Sequence, residues 1–173
     1  MSVIAKMSIR AVHNFGSGRA VDLSCVCENA LMAAYAGSEE DRLFTKYSPW
    51  GEIKLHQPEN WCLGKQDDKF YVILMRADEV YLPEFPGAVA YAPCRVVSVT
   101  DYGAESRRVE ICNSSNRKEG YRAIANFNWQ MSVDNPGATN QMVPGVDDYW
   151  LAFYPAELGR DGTITKAHGH ASE

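Results

Sequence analysis

The sequence is short of most features that announce a reaction. No apolar run approaches the length of a membrane-spanning helix. Met1 to Arg10 lacks the apolar centre of a secretory leader. No membrane is therefore expected as a partner. Positive charge is scarce: 17 Lys and Arg face 22 Asp and Glu, a formal net charge of −5 with a pI near 5.4. No basic run is longer than Arg107-Arg108. Broad phosphate binding runs on clustered Lys and Arg, so this balance disfavours it. Histidine is rare, and nothing places a Ser or Cys beside a His with a carboxylate behind it, the arrangement nucleophilic catalysis needs. Five cysteines make an odd count. With no leader ahead of them, the expectation is a reducing compartment, with the thiols as small buried hydrophobes.

The motifs that invite a chemical reading each have a plainer one. Phe15-Gly16-Ser17-Gly18-Arg19 is glycine-rich like a phosphate loop. It lacks the Gly-Lys-Ser/Thr ending and joins two strands instead of opening a helix, so a tight hairpin explains both glycines. Cys25-x-Cys27 has neither the zinc-knuckle nor the redox spacing, and alternate strand residues share a face, which suits two core thiols. His168-Gly169-His170 lies in a polar tail with nothing to orient its rings. The acidic pairs Asp67-Asp68 and Asp147-Asp148 recur, but adjacent strand residues point to opposite faces, so one pair does not chelate a cation alone. No catalytic residue, metal or cofactor is expected.

What the chain does have is a pattern stated twice. Hydrophobic residues make up 46% of 173, enough for a core, whereas a unit of about 70 residues alone would be marginal. Ile9 to Gly16 and Val96 to Gly103 each alternate and close on an aromatic–Gly turn. Val21-Asp22-Leu23-Ser24 and Val109-Glu110-Ile111-Cys112 are the return strands. Glu52 to Pro58 and Gln130 to Pro136 are apolar–polar stretches ending at Pro. Phe70 to Asp78 and Tyr149 to Glu157 are aromatic strands following acidic pairs and closing on Ala and an acid; Phe70 to Met75 and Tyr149 to Tyr154 are apolar on both faces, which predicts burial on two sides or a binding face. The expected fold is mostly β: two similar small β-barrel or sandwich units in tandem, residues 1-81 and 94-158. Leu82 to Pro93 forms a breaker-rich linker, and residues 159-173 a frayed tail. Glu28 to Ala36, ended by Gly37, is rich in helix formers, and Ser38 looks like a fresh N-cap. A short helical insertion near residues 28-42 is therefore expected in the first unit only. Met7, just inside the first strand, is a second candidate start.

The remaining signal is aromatic. Tyr47, Trp50 and Trp61 fall on loops or strand ends of the first unit, Phe127 and Trp129 in the matching region of the second. Exposed rings of this kind suit burial in a protein partner. Rings beside basic residues also suit stacking of single-stranded DNA bases, and Arg10, Lys46, Lys54, Arg95, Lys118 and Arg122 would supply a local positive strip.

Ser48-Pro49-Trp50-Gly51-Glu52-Ile53, Asn135-Pro136, Pro144-Gly145 and Tyr149-Trp150 through Phe153-Tyr154-Pro155-Ala156-Glu157 together resemble a group of small uncharacterised proteins encoded by tailed bacteriophages. Their pattern runs hairpin, Ser/Thr-Pro-x-Gly-x-Ile, Asn-Pro, then Pro-Gly before a Tyr-rich strand. The chain departs from it at Gln57-Pro58, at Leu63-Gly64 and over Asn126 to Gln130. The resemblance implies a phage-encoded accessory protein, in the virion or the host cytoplasm, with no catalytic residues. The expectation is a non-catalytic protein acting by protein–protein contacts through Tyr47, Trp50, Trp61, Phe127 and Trp129. The alternative is a single-stranded DNA-binding protein of small-barrel type.

Overall fold

In the computed structural model the described residues are 2–26, 50–76, 85–102, 106–114, 120–134, 142–145 and 149–156. They contain eight strands: β1 (Ser2–Phe15), β2 (Gly18–Cys25), β3 (Trp50–Pro58), β4 (Lys69–Arg76), β5 (Ala90–Tyr102), β6 (Ser106–Asn113), β7 (Asn126–Asp134) and β8 (Tyr149–Pro155). The helical insertion expected near 28-42, Cys27, Tyr47, Asp147-Asp148, the whole tail (159-173) with His168 and His170, and the first part of the linker lie outside the described residues.

The strands close one antiparallel barrel in the order β1-β2-β3-β7-β6-β5-β8-β4. The fold is thus mostly β, as the alternation predicts, but two separate barrels or sandwiches do not form. The reason is in the strand partners. β3 pairs with β7, Ile53 opposite Trp129, and β4 pairs with β8, Tyr71 opposite Tyr154. Each half offers only four strands, an open sheet with two edges, and joining the two sheets edge to edge removes those edges. The ring order is unchanged when β1–β4 are exchanged for β5–β8. Both leading strands also bulge at matched places, between Ile9 and Ala11 in β1 and between Val96 and Ser98 in β5.

An eight-stranded barrel is just wide enough for its own side chains to fill. Inward rows from every strand do so here, among them Met7, Ile9, Leu23, Ile53, Leu55, Val72, Val96, Ile111, Trp129, Met131, Leu151 and Phe153, all buried. The outer surface is divided. Over β3 and β7 it is polar, with Glu52, Lys54, His56, Asn126 and Gln130 exposed. Over β4 and β8 it is apolar and covered, and Tyr71, Ile73, Trp150, Ala152 and Tyr154 form a second core with Phe85. Both faces of β4 and β8 are therefore buried, which is why these strands read as continuous apolar runs. Phe85 sits 5.7 Å from the Trp150 ring and 5.2 Å from Tyr91. Lys6 is buried on the same outer side, its Nζ 5.5 Å from the centroid of Tyr71.

Loops seal the end of the barrel to which β3 and β8 run. Leu63 plugs it from the β3–β4 loop, and Ala123 and Ile124 fold over it before β7. The buried amide of Gln57 ties these pieces together. Leu63 N donates to Gln57 Oε1 at 2.8 Å, and Gln57 Nε2 donates to the Ala123 carbonyl at 3.1 Å. At the opposite end Met142 is buried, and Gly145 N donates to the Val96 carbonyl at 2.7 Å.

Candidate partner-binding surface

The barrel sorts the aromatic residues by direction. Phe127 and Trp129 belong to β7, whose alternate residues face inward, and they are 3% and 0% exposed. The expectation that they meet a partner is corrected: they are core. Their pairing explains why, since Ile53 and Leu55 of β3 lie opposite and point the same way into the barrel. Trp50 opens β3 opposite Ser132, and its side chain, like all of Tyr47, lies outside what is described.

Trp61 does reach the surface, at 39% exposure. It follows the turn that closes β3, where Trp61 N donates to the Pro58 carbonyl at 3.2 Å. The Arg122 guanidinium lies 5.2 Å above the Trp61 ring, an arrangement in which the cation meets the negative face of the indole. Arg122 is itself held by backbone hydrogen bonds exchanged with Tyr91, at 2.9 and 3.1 Å. The ring and its cation therefore stand on fixed backbone. The β1–β2 hairpin reaches the same end of the barrel, because Gly18 pairs with Pro58. Its tip carries Phe15, 59% exposed. Gly16 and Ser17 make the two-residue turn between Phe15 and Gly18, so the glycine-rich stretch is a tight hairpin. His56 completes the rim, its Nδ1 2.9 Å from Asn126 Oδ1 on the neighbouring strand.

At the opposite end the β5–β6 hairpin presents Tyr102, 56% exposed, with Arg108 5.6 Å from its ring centroid. Asp101 accepts from Arg107 Nε at 2.7 Å beside it. Phe15 and Tyr102 were not among the sequence candidates. The signal that would have found them is the aromatic–Gly turn of both hairpins. An aromatic residue at the last paired position before a tight turn has too few neighbours to be covered.

The other sequence candidates resolve into structure. Asp68 Oδ2 accepts from Lys65 N at 2.9 Å, closing the turn that leads into β4, and Asp67 takes a positive φ of 75° there. This acidic pair is turn chemistry. Cys25 is buried in the core, as expected of a small hydrophobe, whereas Cys62 is exposed. Among the described residues no three His, Cys, Asp or Glu side chains converge as a metal site would require. No protein-family model matches the chain, and the search of curated proteins finds no similar one.

Proposed function

We propose that this protein is a non-catalytic binding protein that works through protein contacts, carried by a tailed phage as an accessory in the virion or the host cytoplasm. The observation that carries this reading is the pair Phe15 and Trp61, exposed at one barrel end while the barrel interior is filled by its own side chains. Rigidly held exposed rings are the residues that dominate protein interfaces. The phage origin rests on the sequence resemblance alone. The surface also argues for an aqueous partner. A membrane barrel is apolar outside and polar within, and here the interior is apolar while the β3–β7 face carries charge.

The reading includes a duplicated unit. Two tandem four-stranded copies, each half of the barrel, account for the ring order and the matched bulges, and for Phe15 and Tyr102 at the tips of corresponding hairpins. A helical insertion in the first copy belongs to the same proposal. Single-stranded DNA binding is the second reading, favoured by the Arg122–Trp61 and Arg108–Tyr102 pairs, since guanidinium and ring side by side suit base stacking.

The test compares the protein with a Phe15→Ala/Trp61→Ala double variant as bait in host lysate. A partner retained by the first and lost by the second supports the reading, provided the two melt within about 2 °C of each other, as surface substitutions do. Equal retention removes these rings from the site. Tryptophan fluorescence quenched by an oligonucleotide, and restored by salt, would favour the DNA reading instead.

A further inference from the structure

We draw no further inference here: the strongest candidate, the surface patch where Val97, Tyr102 and Val143 stand exposed about the far half of β5, is bordered by residues outside those described, and nothing in the structure shows what covers it.

Discussion

Trp129 shows how much a single ring contributes when it faces inward. It is fully buried in the barrel interior, and its indole N–H has no acceptor among the described residues. Trp129→Ala would remove a large core side chain and leave a cavity, at a cost of about 3–5 kcal/mol. Trp129→Phe keeps most of the volume and abolishes the unpaired donor, so it is expected to cost much less. Urea unfolding of both variants, with unchanged slope, checks the contrast. Backbone constraints act at the same scale. Gly51 takes φ of 144° in β3, and a Cβ there would run into the Gln130 carbonyl across the β3–β7 pair. Only glycine lets these two strands approach at this point. The Gly51 of the Pro-Trp-Gly stretch was visible in the sequence, but its reason lies on a strand nearly eighty positions away.

Among the elements, the hairpins and turns were legible and the strand partners were not. Alternation in Ile9–Asn14 and Val21–Ser24, with Gly16-Ser17-Gly18 between them, specifies β1, the turn and β2 from local chemistry. The strand β7 was placed by the same alternation, but which of its faces turns inward depends on β3 and β6 beside it, and that sent Phe127 and Trp129 to the core. Register was shifted too. Gly18 pairs with Pro58 and Ser106 with Asp134, so Pro58 corresponds to Asp134, two residues from the Pro136 that sequence matching aligns with it. A two-residue slip keeps the same face inward, which is why the core pattern survived it. The loops that seal the barrel depend on one side chain. Gln57→Ala leaves Leu63 N and the Ala123 carbonyl without their partner, and should cost about 1–3 kcal/mol. Hydrogen exchange at the Leu63 amide is expected to speed up well before exchange at the β6 core amides does.

For the whole molecule, the division of the outer surface sets the behaviour in alkali. Tyr154 lies on the covered side of the barrel, and burial holds its phenol above the ordinary tyrosine value of 10.0. A folded-state pKa raised in this way favours the protonated form. Its stabilising contribution is complete below the unfolded value and is lost as pH rises through the folded one. The melting temperature is expected to fall above about pH 10. Tyr154→Phe removes the ionisation and should flatten that fall, as thermal melts across pH 8 to 11 would show; an identical fall in the variant would place the alkaline transition elsewhere.

The sequence by itself determined the β class, the two hairpins and the turn before β4, and it narrowed the two aromatic strands to burial on both sides or a binding face, because each is written in alternation or turn residues only a few positions apart. Tertiary structure alone decided that the strands share one barrel, and which of the described rings face inward and which face water. Those depend on pairings between distant strands, and local side-chain chemistry carries no information about which distant strand will lie alongside.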